Sequence, residues 1–161
     1  MVVSAIVNSI KWTRKNKPIT EEQLKLLQKI PFIFPTMFIQ LLKHSNGGVL
    51  DYDFNYCDIE DKRVMEGNIP CIYGVELKYD NLIKEYHAPP EFFSKNIVAF
   101  SDTGGGNYVC FDYRSNPKTD NPPIVYWNHE SCEGEDVSFI AKDFESFLRM
   151  LKEPEYDDDE L

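Results

Sequence analysis

The chain has 161 residues, of which 27 are acidic and 17 are basic, so its formal net charge at pH 7 is −10. Hydrophobic residues make up 42% of the sequence and aromatic residues 14%, which supplies the core of one domain and excludes an intrinsically disordered chain. Direct binding to nucleic acid is disfavoured, because contacts to phosphate need clustered Lys and Arg side chains. An acidic body can instead attract a basic partner.

The charge is unevenly distributed along the chain. Residues 1–30 carry six basic and two acidic side chains, residues 31–152 carry nineteen acidic and eleven basic ones, and residues 153–161 carry six acids and no base. We interpret residues 1–152 as a single domain and residues 153–161 as a disordered acidic tail, since like charges repel and Pro154 ends the preceding helix. The domain is therefore acidic even without its tail.

Targeting signals and cysteine spacing indicate the compartment. No stretch approaches eighteen consecutive apolar residues, and residues 1–10 lack the basic start and cleavage pattern of a signal peptide. Cys57, Cys71, Cys110 and Cys132 lie too far apart for the usual spacing of a zinc site, and we expect them to be buried free thiols. We expect a cytoplasmic protein with no membrane span, no bound metal and no cofactor.

Helical signals begin the chain. Residues 2–14 carry apolar side chains at helical spacing, which predicts a first helix. Thr20 and Gln23 form a capping box, which predicts that a second helix starts directly after Thr20. A third helix is predicted from Pro35, and it ends at residues 46–48, Asn-Gly-Gly, which tolerate left-handed backbone.

The middle of the chain changes to the period of a strand. Residues 50–56 alternate aromatic or aliphatic side chains with Asp and Asn, which predicts a strand with one buried face. A short helix is predicted at residues 80–86, and Asp143 is predicted to cap a final helix. The other predicted strands are residues 71–79, 97–101, 108–113, 124–128 and 137–141. With no regular alternation of strand and helix, the fold class is α+β.

Two patterns suggest chemistry at first sight. Residues 104–106 form a Gly-Gly-Gly turn, but the Lys-Ser/Thr of a phosphate-binding loop is missing, so we interpret it as a hairpin turn with Asp102 and Asn107 capping its backbone. No calcium-binding loop is present. The three histidines, His44, His87 and His129, show no spacing that pairs them with Cys57, Cys110, Cys132 or a carboxylate, and we expect no enzymatic activity.

Four segments in fixed order carry a resemblance to a known family. They read LLKHSNGG at residues 41–48, IVAFSDTGGGNYVCFDY at 97–113, PIVYWNHE at 123–130 and FESFL at 144–148. Over residues 20–150 the chain resembles the SMI1/KNR4 (SUKH) family. The resemblance implies an α+β fold with a central twisted antiparallel sheet flanked by N- and C-terminal helices. The positions that carry the fold motif are Asn46, Gly47, Gly48, Asp102, Gly104, Gly105 and Asp112.

The family resemblance implies a binding function. Many bacterial members are immunity proteins that bind and neutralise a cognate toxin, often a nuclease, whereas other members, including fungal ones, are regulatory or scaffold proteins. We therefore expect an immunity protein that binds a cognate protein toxin with a basic active cleft. An intracellular regulatory or scaffold protein is the alternative, and an uncharacterised enzyme is a third.

Two acid-rich segments are the candidate contacts for such a toxin. A nuclease must hold a polyanion, so an acidic protein would be steered to its basic cleft and would occupy the place of the substrate. The alternative is that both segments are solvated loops. Tyr52, Phe54, Tyr56 and Trp127 would be anchors if exposed and core residues if buried. The candidate contacts are Asp51, Asp53, Asp58, Glu60, Asp61, Glu130, Glu133, Glu135 and Asp136.

Overall fold

The structure is a computed structural model that describes residues 4–156. Helices flank a series of strands, so the predicted α+β class is confirmed. The elements are α1 (Ala5–Ser9), β1 (Trp12–Lys15), α2 (Glu21–Leu26, followed by a 3-10 turn at Leu27–Lys29), α3 (Thr36–His44), β2 (Gly48–Cys57), β3 (Val64–Ile72), α4 (Leu82–His87), β4 (Ile97–Asp102), β5 (Tyr108–Asp112), β6 (Ile124–Trp127), β7 (Val137–Ala141) and α5 (Phe144–Met150).

The strands are antiparallel, as expected, and are divided between two sheets. One sheet has the order β1-β2-β3 and the other the order β4-β5-β6-β7. The sheets meet where β3 ends, because the Tyr73 N–H donates to the Phe100 carbonyl at 2.8 Å and the Ser101 hydroxyl donates to the Cys71 carbonyl at 2.6 Å. These two hydrogen bonds link the two sheets at this junction.

An aromatic cluster joins the flanking helices to the four-stranded sheet. Phe38 of α3, Phe100 of β4, Phe111 of β5 and Phe144 of α5 are all fully buried. The Phe38 ring centroid lies 5.0 Å from that of Phe111 and 5.5 Å from that of Phe144, both edge to face. Such pairs add to the free energy gained by burial. The helices before and after the strands therefore share one core.

The predicted helix over residues 2–14 is wrong beyond Ser9. The first helix covers only Ala5–Ser9, and Trp12–Lys15 form the edge strand β1. β1 pairs with the start of β2, with Trp12 opposite Leu50. Pairing between residues so far apart in sequence overrides a local helical period. Residues 2 and 3 of that prediction lie outside the described residues.

The predicted strand at residues 71–79 is also misplaced. β3 runs from Val64 to Ile72 and forms a hairpin with β2. Gly67 and Pro70 inside β3 argue against a strand in sequence. Each has a structural reason. A Cβ at Gly67 would overlap the Phe54 ring, and Pro70 falls at the shift of register between Val49 and Tyr52, where the ladder is irregular.

The predicted caps are confirmed. The Gln23 N–H donates to the Thr20 hydroxyl at 3.1 Å, and the Thr20 N–H donates to the Gln23 side-chain oxygen at 2.9 Å. The Ser146 N–H donates to the Asp143 carboxylate at 2.7 Å at the start of α5. Although partial burial opposes it, this hydrogen bonding lowers the pKa of Asp143. The remaining strands and α4 agree with the sequence prediction to within two residues.

The structure describes only the first part of the predicted acidic tail, residues 153–156. Lys152 pairs with Asp53 of β2 through two backbone hydrogen bonds, and the Lys11 ammonium lies 3.2 Å from the Glu153 carboxylate. Residues 157–161 of the acidic tail lie outside the described residues, so the domain boundary at residue 152 stays a prediction. Among residues 4–156, none of the helices has the length and apolar content that crossing a bilayer requires.

Candidate functional site

The Asn-Gly-Gly motif after α3 connects the N-terminal part of the chain by hydrogen bonds to the segment that follows β3. Asn46 is 5% exposed, and its side chain both accepts from the Val75 N–H and donates to the Val75 carbonyl, each at 2.8 Å. Gly47 adopts a φ of +66°, and a Cβ there would lie 2.7 Å from the Gly74 nitrogen. The motif is therefore buried and holds two parts of the chain together by hydrogen bonds, and it does not form a surface for a partner.

The glycine turn between β4 and β5 is the predicted hairpin turn. Gly104 and Gly106 have φ values of +82° and +95°, and Asp102 caps the turn by accepting from the Gly104 N–H at 2.9 Å. The prediction for Asn107 is wrong, because its side chain bonds elsewhere. It donates to the Tyr126 hydroxyl at 2.8 Å and accepts from the His129 N–H at 3.0 Å.

Asp112 has a structural role at the end of β5. Its two oxygens accept from the Arg114 guanidinium at 2.9 and 3.0 Å, in the bidentate geometry that favours an Arg–carboxylate pair. This hydrogen bonding raises the pKa of Arg114. Asp112 therefore holds the chain after β5 through its hydrogen bonds to Arg114.

The first acidic segment is divided between two places. Asp51 and Asp53 both accept from the Asn68 side-chain amide, at 2.7 and 2.8 Å, and Asp51 also accepts from the Tyr156 hydroxyl. Asp51 lies six residues and Asp53 four residues before Cys57, the last residue of β2. At about 3.4 Å per residue, they are about 20 Å and about 14 Å from the turn after β2. Asp51 and Asp53 therefore do not join the other candidate acids.

The turn between β2 and β3 contains the other three acids of that segment. Asp58 is 7% exposed, and its carboxylate accepts from the Asp61 N–H at 2.7 Å. It therefore shapes the turn. Glu60 and Asp61 are exposed, and Asp61 lies 3.6 Å from the Arg63 guanidinium.

The second acidic segment lies in the loop between β6 and β7. Asp136 has a structural role, because one of its oxygens accepts from the Trp127 indole N–H and from the Ser94 hydroxyl, both at 3.0 Å. Glu130, Glu133 and Glu135 are exposed. Three carboxylates of this loop thus face solvent and one is engaged inside the protein.

The fold brings these two loops together at one end of the molecule. The Ser131 hydroxyl donates to Glu60 at 3.0 Å, and the Ile59 N–H donates to the Ser138 hydroxyl at 2.9 Å. Beneath them the rings of Tyr56 and Tyr126 stack at 4.4 Å, and burial, with the charge of the neighbouring groups, raises the pKa of Tyr56 to about 12. We call the exposed residues Glu60, Asp61, Glu130, Glu133 and Glu135 the acidic end.

The aromatic residues considered as anchors are core residues. Each is at most 8% exposed, so they belong to the core; the residues are Tyr52, Phe54, Tyr56 and Trp127. Two exposed aromatics, Phe92 at 87% and Phe139 at 58% exposure, were not predicted as site residues. Their positions were the signal: Phe92 lies two residues after the Pro89-Pro90 pair, and Phe139 lies in a short strand whose other face is buried.

The cysteine prediction is half right. Cys71 and Cys110 are buried free thiols, but Cys57 and Cys132 are exposed, because they lie at the end of β2 and in the β6–β7 loop.

The His129 ring lies 2.6 Å from the Asn107 side-chain oxygen and 3.7 Å from the Glu130 carboxylate. These contacts give His129 a turn-stabilising role.

One cluster with the composition of a cation site was not found from sequence. The side-chain ligand atoms of Cys71, Asp80 and Asp102 lie within 4.8 Å of one another, brought together from β3, a loop and the end of β4. Burial raises the pKa of the Cys71 thiol to about 12, and the Tyr73 hydroxyl donates to Asp102 at 2.8 Å. The thiol is protonated at neutral pH, so the cluster is chiefly two carboxyl groups held close together.

This cluster sets a pH dependence of stability. The pKa of Asp80 is raised by burial and by the negative charge of Asp102, and the positive charge of Arg14 partly offsets this rise. The pKa of the nearby Glu85 is also raised, by burial and by the charges of Asp102 and Asp80. A carboxyl group whose pKa is higher in the folded chain binds protons more tightly there, so protonation stabilises the fold. This contribution grows as the pH falls from neutral toward the ordinary values of 3.8 and 4.5. Asp143, whose pKa is lowered, acts with the opposite sign.

We expect Asp80→Asn to raise the free energy of unfolding at pH 7 by roughly 0.5–1 kcal/mol. The variant removes one of two neighbouring carboxylates, and Asn tolerates the φ of +55° found at Asp80. Urea unfolding at pH 7 and at about pH 4 measures the effect, and the gain should shrink at the lower pH because a larger fraction of wild-type Asp80 is then protonated. Asp120→Asn, at an exposed site, is the control. A gain that does not depend on pH would contradict this origin.

The fold and the motif contacts together define an α+β domain, in which two linked antiparallel sheets are flanked by N- and C-terminal helices. The family model described as SMI1 / KNR4 family (SUKH-1) matches residues 18–150. The chain belongs to this family, which confirms the resemblance of its sequence motifs.

The comparisons also include a curated relative from a prophage. The chain is similar to the SPbeta prophage-derived uncharacterized protein YokK of Bacillus subtilis (strain 168). The two are 30% identical over 152 residues, covering 82% of this chain and 74% of that protein. No solved structure matches the chain significantly.

Proposed function

We propose that this protein is an immunity protein of the SMI1/KNR4 family that binds a cognate protein toxin in the cytoplasm and neutralises it stoichiometrically, without turnover. The observation that carries the proposal is the acidic end. Two loops about 70 residues apart in sequence meet there through the Ser131–Glu60 hydrogen bond, and they present five carboxylates to solvent.

Charge explains how such a surface would act on its target. A toxin that cleaves nucleic acid holds a polyanion in a basic cleft, and complementary charge raises the rate of encounter with an acidic protein. Carboxylates at the acidic end would then stand where the phosphates of the substrate bind. Asp61 contributes less to this field than its neighbours, since Arg63 lies 3.6 Å away.

Co-expression tests the proposal directly. The first step is to identify a gene beside that of this protein that encodes a candidate toxin domain. That domain is the probe, and it is expressed from an inducible promoter in a host that lacks both genes. We expect this protein to restore growth and to form a one-to-one complex with the toxin in size-exclusion chromatography. Growth arrest that this protein does not relieve, at expression levels matching the toxin, would reject the proposal.

A matched control separates neutralisation from an unspecific effect of an acidic protein. The toxin domain of an unrelated locus, expressed in the same host, should remain toxic in the presence of this protein. Protection against both toxins would indicate a general effect on the host and would contradict cognate recognition. A regulatory or scaffold role predicts neither protection nor a complex with the toxin.

A further inference from the structure

The outer face of the four-stranded sheet carries an aromatic surface beside the acidic end. The inner face is defined by Tyr126, which stacks on Tyr56 of the other sheet. Trp127, the next residue, points the opposite way and pairs across the ladder with Tyr108 and with Val137. The Phe93 ring lies over this outer face, with its centroid 4.9 Å from that of Trp127 and 5.8 Å from that of Tyr108.

A groove of about 710 Å³ lies between the loop at residues 92–95 and residues 127–136. Phe92 lines it, is 87% exposed and has a φ of +64°, a backbone conformation that bulky residues rarely adopt. The Ser94 hydroxyl anchors the loop by donating to Asp136 at 3.0 Å. The loop is thus tied to the sheet while it presents an aromatic side chain to solvent.

Phe139 extends this surface along β7. It pairs with Val125, while Val137, two residues earlier, pairs with Trp127. Phe139 is therefore diagonal to Trp127 on the same outer face, at a typical separation of about 7–8 Å. With 58% of its surface exposed, Phe139 is another apolar group without cover from residues 4–156. We call Phe92, Phe93, Trp127 and Phe139 the aromatic groove.

Carboxylates border the aromatic groove. Glu133 and Asp136 line it, and Glu130 and Glu135 lie in the same loop. Arg114 and Lys95 also line it, but Asp112 holds Arg114 in a bidentate ion pair. An apolar centre with a charged rim is the anatomy of a protein–protein interface, in which central aromatic residues supply most of the binding free energy.

We propose that the aromatic groove is the anchoring part of the toxin-binding surface, with Phe92 and Phe139 as its main contacts and the acidic end as its rim. This rests on the proposed function. The occupant is a protein surface with an apolar side chain at its centre, which enters the groove, and Lys or Arg around it, which meet Glu130, Glu133 and Glu135. The aromatic groove thus sets the lifetime of the complex, and the acidic end sets its rate of formation.

Charge argues against a second copy of this chain as the occupant. A two-fold symmetric contact brings the same surface patch of both copies together. Around the aromatic groove, that arrangement would place Glu133 and Glu135 of one copy near those of the other, and like charges repel. A basic partner removes this repulsion.

Truncation of the two exposed aromatics tests the proposal. Phe92→Ala and Phe139→Ala are compared with wild type by isothermal titration calorimetry and surface plasmon resonance, using an inactivated variant of the toxin domain identified in the co-expression test. We expect each variant to bind at least about tenfold more weakly, through faster dissociation. Tyr79→Ala is the matched control, since Tyr79 is 73% exposed at another site, and its Kd should change less than twofold.

The outcomes separate this proposal from the proposed function. Wild-type affinity for both Phe variants, with rescue of growth intact, would overturn the aromatic groove and leave the immunity function standing. No binding by the wild-type protein would overturn both. Self-association of the free protein that Phe92→Ala abolishes, seen by sedimentation velocity, would assign the groove to a second copy. Circular dichroism checks each fold, and Phe92→Ser replaces Phe92→Ala if the latter is altered.

Discussion

Replacing Asn46 with alanine is expected to lower the free energy of unfolding by roughly 3–5 kcal/mol. The Asn46 side chain satisfies both the N–H and the carbonyl of Val75, each at 2.8 Å, and Val75 is fully buried. Alanine leaves two buried backbone groups without partners, and each costs the free energy of its lost hydration. Urea unfolding followed by circular dichroism measures the change, which is a large part of the stability of a domain this size.

Two control variants test whether the effect of Asn46→Ala comes from its hydrogen bonds to Val75. Asn55→Ala removes an exposed asparagine on β2 and should change the free energy of unfolding by less than about 0.5 kcal/mol. Asn16→Ala removes only the hydrogen bond from its side chain to the Asn46 carbonyl at 3.0 Å, and about 1 kcal/mol is expected. If Asn46→Ala is no more destabilising than Asn16→Ala, the double hydrogen bond to Val75 does not hold this junction.

Local signals were sufficient for most of the elements. The capping box of Thr20 and Gln23 and the cap at Asp143 involve residues three apart, so the sequence alone contains both partners. The alternation of residues 50–56 likewise reflects one strand with one buried face. Where both partners of an interaction are close in sequence, prediction and structure agree.

Long-range pairing explains the two misplaced elements. β1 exists because it pairs with β2, and nothing within residues 12–15 specifies that partner. In β3 two residues argue against a strand: Gly67 is required because a Cβ there would overlap Phe54, and Pro70 is tolerated because the register with β2 is irregular opposite it. Both reasons lie on the neighbouring strand, where a local pattern cannot show them.

The candidate site could be predicted by residue type but not by role. Charge density singled out the two acidic segments, yet only the structure shows that Asp58 and Asp136 are engaged in hydrogen bonds and that Glu60 lies beside Ser131. The exposed aromatics were missed for the opposite reason. An apolar side chain in a strand is expected to be buried, so Phe139 carries no sign of exposure.

The aromatic groove and the acidic end are expected to affect different rate constants of toxin binding. Loss of a central aromatic contact speeds dissociation, whereas a change of rim charge acts on association and on its dependence on salt. Asp58 and Asp136 are unsuitable for a test of charge, since their replacement would disturb the turn after β2 or the indole of Trp127. The exposed glutamates of the acidic end offer a test that leaves these contacts intact.

Reversing four of these charges, Glu60, Glu130, Glu133 and Glu135 to lysine, is expected to slow association with the toxin domain about 10- to 100-fold at low ionic strength. The four side chains are exposed. The change removes the Ser131–Glu60 hydrogen bond but keeps the Ile59–Ser138 hydrogen bond between the same segments, so the fold should persist. Stopped-flow or surface plasmon resonance at several salt concentrations measures the effect. Wild-type association should slow steeply as salt rises, and the variant should respond weakly, because screening then has little attraction to remove.

The control makes the same change in net charge elsewhere. Glu22, Glu76, Asp120 and Glu155 are exposed acids outside the acidic end, and their reversal to lysine shifts the total charge equally. If steering depends on where the charges lie, this second variant should associate at nearly the wild-type rate. Equal slowing by both variants would show that only net charge matters, and no slowing by either would remove the acidic end from the interface. Association slowed only by the first variant, with dissociation unchanged, is the result that the proposed arrangement requires.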